Sequence, residues 1–407
     1  MADRIVVTGL GAISALGLTA EENWTAARDG AGGIVQHLFD SGQYGPTPVT
    51  LPAALIAGDA VAALEAALGR RVGGSLDLFA VYPLLAADEA LRQAGLKGAP
   101  LGPRAAVVLG TGIGGLRTLE KAYERFFGVR AGKVHPMTIP RVMISAPVSA
   151  VAMEFGVTGP VFATSSACAS SGHAIAQGAG LIATGQADVA IVGGTEAMAS
   201  PGGIRSWEGL QAMSDTTCRP FSKDRDGMIL GDGGAVLVLE RESHAAARGA
   251  TPLAVLVGMG QSSDAFHWTQ PSLEGTVSAI RQACEPAGFL DGRQVLISTH
   301  GTGTPVNDKN EAAAIRALFG EAAMSHPVIA TKSAHGHVIG ASAALQAVIA
   351  LQGLAAGLAP PILNYLGPDP DCELDLVLGE ARPIQAQSLL VNAFAFGGLN
   401  VTLAFTL

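Results

Sequence analysis

The sequence is poor in charged and aromatic residues: of its 407 residues, 14% are charged and 5% are aromatic. Its net charge at pH 7 is −9, and no block of lysine and arginine offsets the acidic residues. Binding to the phosphates of nucleic acid needs a surplus of basic side chains, so the composition argues against a nucleic-acid partner. Arg70 and Arg71 form the one adjacent arginine pair, a candidate docking patch for an acidic partner that an ordinary solvated surface pair explains equally well.

Cysteine is also scarce, and the four cysteines are far apart: Cys168, Cys218, Cys284 and Cys372. Without a C-x-x-C spacing they indicate neither a zinc site nor a disulfide framework, and a reducing compartment suits them best. The first residues, MADRIVVTGLG, lack the pattern of a signal peptide, and no run of about 18 uninterrupted apolar residues suggests a membrane span. We therefore expect a soluble, cytoplasmic protein.

Small and apolar residues are abundant by contrast. The 53 glycines and the hydrophobic fraction of 49% indicate close packing of helices and strands, as in layered α/β proteins. Short apolar runs separated by Ala-rich stretches indicate strands alternating with helices, in sheets covered on both faces. The predicted strands are Arg4–Thr8, Ala105–Leu109, Val161–Thr164, Asp188–Val192, Ala235–Leu239, Leu253–Val257, Val295–Ser298, Val328–Thr331, Leu389–Asn392 and Val401–Phe405.

These strands fall into two sets of five, which suggests a duplicated core with each half built around its own sheet. We place the halves at residues 1–250 and 251–407, with the boundary near Arg248–Pro252. The segment Gly115–Ser149 interrupts the first half with mixed aromatic, basic and proline residues and is interpreted as an inserted cap. Such insertions often line a substrate tunnel or a dimer contact.

Two other patterns have structural explanations. The glycine-rich stretches TGLGAISALG and LGTGIGG lack the strand, loop, helix and acidic residue that nucleotide binding requires, so tight turns after buried strands explain them more simply. Asp308 and Glu311 form a D-x-x-E pattern that resembles a helix capping box. We expect this pair to give structural support, with a general-base role for Glu311 as the alternative.

Cys168 is the candidate nucleophile. It follows an apolar, strand-like run in VFATSSACASSGHAIAQG and opens an Ala/Gly-rich helical stretch. A helix N-terminus presents unpaired N–H groups and a partial positive charge, which favour a thiolate and lower a thiol pKa from its free value of about 8.5. A small buried cysteine is the alternative.

Two distant segments favour the catalytic interpretation. The loop STHGTGTP places His300 after an apolar run, and TKSAHGHVIG places Lys332, His335 and His337 after another. With Cys168, these histidines supply a nucleophile and two imidazoles, a set suited to thioester chemistry rather than to zinc. The remaining histidines of interest are interpreted as ordinary core or surface residues: His37, His244, His267 and His326.

The last segment, NAFAFGGLNVTLAF, combines Phe394 and Phe396 with two glycines just before a predicted closing strand. Together, this segment, the Cys168 segment, STHGTGTPVNDKNE and TKSAHGH resemble the β-ketoacyl-acyl-carrier-protein synthases, decarboxylating condensing enzymes of the thiolase-like superfamily. GGTEAMASP and CRPFSKDRDGMILGDGGAVLVLE extend the resemblance over nearly the whole chain. It is most similar to the type II elongating branch and, through TCRPFS, SSDAF, PSLEG and NYLGPDPDCELD, to the nodulation-type ketosynthases.

The resemblance implies an α/β, thiolase-like, five-layered αβαβα fold with two duplicated halves, usually a homodimer. It implies that an acyl chain held on Cys168 condenses with malonyl carried by an acyl carrier protein, lengthening a fatty acid or a specialised acyl or polyketide chain by two carbons. No cofactor or metal is implied, since phosphopantetheine arrives on the carrier protein.

The resemblance also implies a role for individual residues. Cys168 is the acylated nucleophile, His300 and His337 flank the malonyl carbonyl, and Lys332 sets the field around His337. The backbone N–H groups of Cys168 and Phe396 form an oxyanion hole, and Phe396 gates the acyl pocket. Thr302 and Thr304 contact the phosphopantetheine arm. The candidate acyl-pocket residues are Ile113, Met137, Phe394 and Phe396, of which Ile113 and Met137 are the candidates for chain-length control.

The chain departs from the commoner family pattern at several positions. Ala395 and Leu399 stand in the C-terminal loop where glycine and threonine are usual, and Met228 stands where many elongating members have phenylalanine. Gln346 and Ser298 occupy positions where relatives often have Glu and Asn around a structural monovalent cation, so that ion is not predicted.

Three other functions remain as alternatives. A degradative thiolase would need a second catalytic cysteine near the C-terminal loop, and none follows Cys372. An initiating synthase would typically have Asn in place of one histidine. A non-catalytic subunit resembling a chain-length factor in a ketosynthase heterodimer would usually lack the nucleophilic cysteine.

Overall fold

The computed structural model describes residues 3–42, 47–70, 72, 75–130 and 132–407, so Arg71 lies outside the described residues. All ten strands predicted from the sequence are present in it. The strands are Ile5–Ile13 (β1), Val35–Phe39 (β2), Val49–Ala53 (β3), Ala105–Gly110 (β4), Val161–Thr164 (β5), Val189–Glu196 (β6), Gly233–Arg241 (β7), Ala254–Ser263 (β8), Leu296–Ser298 (β9), Val328–Ile329 (β10), Leu358–Ala359 (β11), Arg382–Pro383 (β12), Ser388–Ala395 (β13) and Leu399–Thr406 (β14).

The helices begin and end at the residues that helix chemistry favours. Asp77 and Ser272 each accept a hydrogen bond from a backbone N–H in the first turn of the helix that follows, and left-handed glycines end others. The α-helices are Ala20–Arg28 (α1), Ala60–Leu68 (α2), Leu78–Gln93 (α3), Leu116–Tyr123 (α4), Thr138–Val142 (α5), Ala146–Phe155 (α6), Ser170–Ala183 (α7), Pro201–Glu208 (α8), Glu242–Ala247 (α9), Leu273–Ala287 (α10), Pro305–Phe319 (α11), Lys332–His335 (α12) and Ser342–Ala356 (α13).

The main sheet shows the expected duplication in its strand order, which is β10-β9-β13-β14-β8-β1-β7-β6-β4-β5. Within each set of five, the strands lie in the order third, second, fourth, fifth, first. The directions also match: counted from each outer edge, the first three strands are parallel, the fourth pairs antiparallel with the third, and the fifth pairs antiparallel with the fourth. The prediction of a separate sheet for each half is wrong, since β1 pairs with β8 and joins both sets into one sheet.

Helices cover both faces of the strands. On β7, Val236 and Val238 pack in a core that contains α3 and α6, whereas Leu237 and Leu239 face a core that contains α7 and α13. This alternation follows from the two-residue period of a strand. The core of the second half contains α10 and α11. Helices α7 and α13 therefore pack between the two sets of strands and are the elements closest to the site.

The first glycine-rich stretch runs through β1 and ends in the predicted tight turn, where Ser14 and Gly17 exchange backbone hydrogen bonds. Gly9 and Gly11 lie inside β1, where α3 approaches the strand so closely that an added Cβ would lie 2.1 Å from Ala90 O and 1.9 Å from Ala86 O, respectively. Glycine is required there because backbone meets backbone, and that reason is unrelated to nucleotide binding.

The predicted cap contains α4, a π-helical turn at Glu124–Gly128, and α5, and it carries many exposed apolar side chains. They include Tyr123, Phe126, Phe127, Val129, Met137, Ile139 and Met143. The cap follows β4 and extends into the first turn of α6, and β5, the strand after α6, forms one edge of the sheet.

One segment of the described chain, Ile339–Ala356, is long and apolar enough to cross a membrane by length and composition. It comprises a short 3₁₀ turn and α13, and 83% of it is buried. Its hydrophobicity is accounted for by its position in the core.

Candidate active site

Cys168 lies on a strained turn between β5 and α7. Ala167 has a φ of 48°, in the left-handed region that residues with a Cβ rarely adopt. The turn is held by Ser170, whose Oγ accepts a hydrogen bond from the N–H of Ser166 at 2.9 Å and donates one to Ala167 O at 2.6 Å. The backbone thereby fixes Cys168 just before the helix, two residues ahead of the first residue of α7.

The structure brings the three predicted reactive side chains together. Sγ of Cys168 lies 3.1 Å from Nε2 of His337, and Nδ1 of His337 lies 2.9 Å from Ser342 Oγ at the start of α13. The ring of His300 is 5.3 Å from that of His337, at nearly a right angle. One ligand atom from each of Cys168, His300 and His337 lies within 4.8 Å of the other two, so proximity alone would also allow a metal ion.

The site favours neutral side chains. Burial raises the pKa of the Cys168 thiol to about 12, although Lys332 and the backbone N–H groups of Cys168 and Phe396 act in the opposite direction. The prediction of a lowered thiol pKa is therefore wrong for the free enzyme, because desolvation outweighs the field of the helix. Burial and the positive charge of Lys332 hold the pKa of His300 and of His337 well below the ordinary value. A neutral thiol thus faces a neutral imidazole.

Two buried carboxylates on α11 hold the His300 loop. Glu311 accepts hydrogen bonds from the N–H groups of His300 and Gly301, at 2.8 and 2.9 Å. Asp308 accepts from the N–H groups of Thr302 and Gly303. The predicted capping box is wrong: α11 begins after Thr304, and both carboxylates bond the preceding loop rather than their own helix. Supporting the loop is a structural function, as the sequence indicated.

Lys332 lies behind the two histidines and is almost fully buried. Its Nζ lies 2.5 Å from His300 O, 2.6 Å from Gln346 Oε1 and 3.4 Å from His300 Nδ1. Burial lowers the pKa of Lys332 to about 8, and the carboxylate of Glu311 acts against this shift. The lysine therefore contacts His300 directly, and it reaches His337 through its charge.

A cavity of about 250 Å³ opens above the cysteine. Its lining includes most of the predicted site residues: Cys168, His300, His337, Thr302, Thr304, Phe394 and Phe396. Met228 and Ala395, which differ from the commoner family pattern, line it too. The ring of Phe396 stacks on Trp207 with centroids 6.2 Å apart and an interplanar angle of 25°. The N–H of Gly397 donates to Trp268 O at 2.8 Å, which ties the Phe396 loop to the loop after β8.

Family models match both parts of the chain: "Beta-ketoacyl synthase, N-terminal domain" over residues 2–245 and "Beta-ketoacyl synthase, C-terminal domain" over residues 253–366. The chain belongs to the β-ketoacyl synthase family. Its fold is accordingly the mixed α/β ketosynthase fold with N- and C-terminal domains, and it is a condensing enzyme that acts as an acyltransferase.

Individual relatives agree with this assignment. Nodulation protein E of Rhizobium meliloti is 40% identical, with 99% of this chain and 98% of that protein covered. 3-oxoacyl-[acyl-carrier-protein] synthase 2 of Coxiella burnetii is 34% identical, again over 99% and 98%. Among solved structures, the ishigamide ketosynthase/chain length factor superposes with a TM-score of 0.92 at 29% identity, covering 100% of this chain and 99% of that one.

Three residues that the sequence assigned to the acyl pocket or to carrier docking lie outside the Cys168 cavity. Ile113 and Met137 are each 48% exposed, and neither lines the Cys168 cavity in the single chain. Arg70 is exposed and forms an ion pair with Glu154. None of these three residues contributes to the catalytic cavity of one subunit.

Sequence reasoning missed the aromatic rim of the cavity in the synthase. His267, interpreted as an ordinary residue, lines the mouth beside Trp268, which is 83% exposed. Trp207 stacks on Phe396 and donates from Nε1 to Met198 Sδ at 2.9 Å. The sequence around Trp207 does not indicate that it contacts Phe396, because α8 and the β8–α10 loop meet the Phe396 loop only in the folded chain.

Gln346 and Ser298, the two positions that the resemblance associates with a monovalent cation, differ in their hydrogen bonding. Gln346 is fully buried, and its amide is hydrogen bonded at both ends. Ser298 Oγ is buried and has no hydrogen-bond partner among the described residues. The amide of Gln346 already bonds the Lys332 ammonium group and supplies no anionic oxygen, so the donor set does not fit that ion.

Proposed function

We propose that this synthase transfers an acyl chain from an acyl carrier protein to Cys168 and condenses it with malonyl on a second carrier protein, which lengthens the chain by two carbons. The observation that carries the proposal is the 3.1 Å contact between Cys168 Sγ and His337 Nε2, with His300 beside it in one cavity. The name of the Coxiella burnetii relative supports the acyl-carrier substrate.

In the acyl-transfer step, Cys168 Sγ attacks the carbonyl carbon of the acyl thioester. The thiol proton passes to Nε2 of His337, which can accept it while Nδ1 donates to Ser342 Oγ. The carbonyl π electrons move to oxygen, and their return breaks the bond to the carrier thiolate. That thiolate takes the proton back from Nε2, which leaves an acyl-enzyme and a free carrier thiol.

The backbone N–H groups of Cys168 and Phe396 form the oxyanion hole for this step. Both N–H groups act on the Cys168 sulfur and lower its pKa, which supports their proposed role as donors to the carbonyl oxygen of an attached acyl group. Loss of one such donor typically costs about 10²–10³ in rate. Donors held by the backbone need no reorganisation when the charge develops.

In the condensation step, malonyl loses CO₂, and the electrons of the broken C–C bond form an enolate. His300 and His337 donate N–H groups to the enolate oxygen while remaining neutral; His337 does so in the tautomer with its hydrogen on Nε2, in which Nδ1 accepts from Ser342 Oγ. Their low pKa values keep them from protonating the carbanion carbon. That carbon attacks the acyl carbonyl on Cys168. The thiolate leaves and takes a proton from water, since the condensation consumes one proton overall, and the longer 3-oxoacyl chain departs on the second carrier.

The carrier's phosphopantetheine arm extends along Thr302 and Thr304, whose hydroxyls lie 2.8 Å apart at the cavity wall. The synthase then needs no resident cofactor. The acyl chain passes Phe396, which with Phe394 borders the acyl pocket. Because Phe396 stacks on Trp207, the chain must displace that ring to enter.

We further propose a homodimer that pairs the two β5 edges and covers the exposed cap. Strand β5 is one edge of the sheet, Phe162 on it is exposed, and the cap carries several exposed apolar side chains. An uncovered strand edge and a large apolar patch both favour association. In such a dimer, Ile113 and Met137 would limit the acyl chain at the subunit boundary.

We propose that the carrier protein docks at Arg70 and Arg71, where Arg70 would have to exchange Glu154 for an acidic carrier side chain.

We also propose a five-layered αβαβα arrangement with halves at 1–250 and 251–407, in which the two strand sets of the joined sheet form the two β layers. The repeated strand order and the position of α7 and α13 between the strand sets support it. A cytoplasmic location agrees with four free cysteines.

The test is condensation by the purified chain alone, with acyl carrier protein, malonyl carrier protein and mass spectrometry of the carrier-bound product. The expected product is a 3-oxoacyl chain two carbons longer, with release of one CO₂. Gel filtration of the same preparation reports the dimer. A requirement for a second ketosynthase-like subunit would instead favour a chain-length-factor role, which the name of the ishigamide structure gives beside the ketosynthase.

A further inference from the structure

Gln346 has an amide orientation that its neighbours determine. The residue is fully buried on α13, and its Nε2 donates to Thr299 O at 2.7 Å and to Asn392 O at 3.2 Å. A carbonyl oxygen only accepts, so the nitrogen must face these two groups. The opposite end, Oε1, therefore faces Lys332 Nζ at 2.6 Å, where it can only accept.

The contacts of Lys332 then determine where its hydrogens point. Two of the three atoms around Nζ, His300 O and Gln346 Oε1, are acceptors without hydrogen. An ammonium group gives one N–H to each of them and has a third N–H left for His300 Nδ1 at 3.4 Å. Nδ1 must then be bare, so His300 carries its hydrogen on Nε2, the nitrogen that faces away from Lys332.

The neutral amine has a different effect. It has two N–H groups, both held by the oxygens, and its lone pair is left for Nδ1. His300 then places its hydrogen on Nδ1 to meet the lone pair, and Nε2 becomes an acceptor that cannot donate to an enolate oxygen. Loss of one proton from Lys332 thus changes the tautomer of His300 without adding charge to the ring.

We propose that Gln346 is a positioning residue for decarboxylation: its neutral amide orients Lys332 so that the charge state of the lysine selects the His300 tautomer that donates to the substrate. The inference rests on the proposed condensation function. Gln346 does not touch the substrate, because it is absent from the cavity wall.

The groups around Lys332 determine the pH at which it loses a proton and His300 changes its tautomer. Burial lowers the pKa of Lys332 to about 8, and a neutral amide does little to restore it. The titratable groups that act on Lys332, or on which it acts, are Cys168, Cys218, His300, Asp308, Glu311, His335 and His337. Glu311 and Asp308 bond the His300 loop, and Glu311 also accepts from Asn392 Nδ2, so among the described residues Gln346 supplies the side-chain oxygen that bonds Nζ.

The test compares wild type, Gln346→Glu and Gln346→Met, each first acylated on Cys168 so that the thiol does not titrate. CO₂ release from malonyl carrier protein is measured from pH 6.5 to 10. In wild type, the rate should fall as pH rises through about 8, to roughly a tenth at pH 9. In Gln346→Glu, the carboxylate keeps Lys332 protonated, and the fall should move at least one pH unit higher.

Gln346→Met fills the same space but gives Lys332 no acceptor. It should slow CO₂ release at least tenfold throughout the range while leaving the rate of Cys168 acylation within twofold. Gln352→Glu is the control, because it adds a carboxylate to the same helix, where the glutamine amide bonds Ala20 O instead. It should leave the pH profile unchanged.

An unchanged pH midpoint in Gln346→Glu would overturn the inference. If that variant does not fold, equal losses of acylation and CO₂ release in Gln346→Met would overturn it, because they indicate a structural role only. Failure of the proposed function is distinguishable: wild-type acyl-enzyme would then release no CO₂ at any pH.

Discussion

His337 Nε2 lies 3.1 Å from Cys168 Sγ, and burial keeps both groups neutral. The thiol therefore needs His337 to take its proton at the moment of attack. We expect His337→Ala to slow acylation of Cys168 by about 10²–10⁴. Stopped reactions analysed by intact mass measure this rate. The matched control is His244→Ala, which removes a histidine bonded to Glu240 away from the cavity; a comparable loss in that variant would contradict a specific role for His337.

Asp308 supports the loop that carries His300 and Thr302. Its carboxylate accepts from the N–H groups of Phe221, Thr302 and Gly303 in a fully buried position. Asp308→Asn turns an N–H₂ group toward these donors, so we expect a loss of about 1–3 kcal/mol in the free energy of unfolding and a higher KM for malonyl carrier protein. Denaturant titration and steady-state kinetics measure the two effects. Exposed Asp291→Asn should change neither, and unchanged stability of Asp308→Asn would exclude the anchoring role.

The buried carboxyl group of Glu196 should make the free energy of unfolding depend on pH. Its buried carboxylate accepts from the N–H groups of Gly112 and Gly340, yet burial raises its pKa from 4.5 to about 7. The folded pKa exceeds the unfolded one, so the stabilising contribution is complete below pH 4.5 and is lost as pH rises to 7. Between these values, wild type should lose about 1.4 kcal/mol per pH unit relative to Glu196→Gln, which cannot titrate.

The Glu196 comparison uses unfolding free energies measured at half-unit steps from pH 5 to 8. Glu321→Gln replaces an exposed carboxylate and serves as the control. The difference between wild type and this control should stay constant. A constant difference between wild type and Glu196→Gln would show that the carboxyl titrates alike in the folded and unfolded states.

Trp207 stacks on the ring of Phe396, the proposed gate of the acyl pocket. We expect Trp207→Ala to extend the longest acyl chain accepted by Cys168, because it removes the ring on which Phe396 stacks and enlarges the cavity. Acylation rates over a graded series of acyl carrier proteins give the measurement. Phe266→Ala removes an exposed aromatic side chain that does not line the cavity and should leave the profile unchanged. The same chain-length limit in Trp207→Ala and wild type would contradict the gate.

The sequence predicted the strands and the meeting of Cys168, His300, His337 and Lys332, because each residue follows an apolar run within a recognisable motif. It did not predict the partners of Asp308 and Glu311. Two carboxylates three residues apart look the same whether they cap their own helix or bond a preceding loop. The pairing of β1 with β8 was missed for a similar reason, since strand pairing between halves depends on contacts that no local pattern records.

The thiol of Cys168 shows the limit of reasoning from local position. A helix start lowers a thiol pKa, but the opposing effect of burial depends on the loops of His300, His337 and Phe396 together. The aromatic rim formed by Trp207 and Trp268 has the same origin. These features follow from desolvation and long-range packing, which spacing along the chain does not specify.

The central claim is that Cys168 carries the acyl chain, and intact-mass analysis of the purified protein incubated with an acyl carrier protein tests it most directly. Wild type should gain the mass of one acyl group, located at Cys168 by peptide mapping, and release it when malonyl carrier protein is added. Cys168→Ala should gain no mass and form no condensation product, whereas Cys218→Ala should be acylated like wild type. An unmodified wild-type protein, or continued condensation by Cys168→Ala, would contradict the claim.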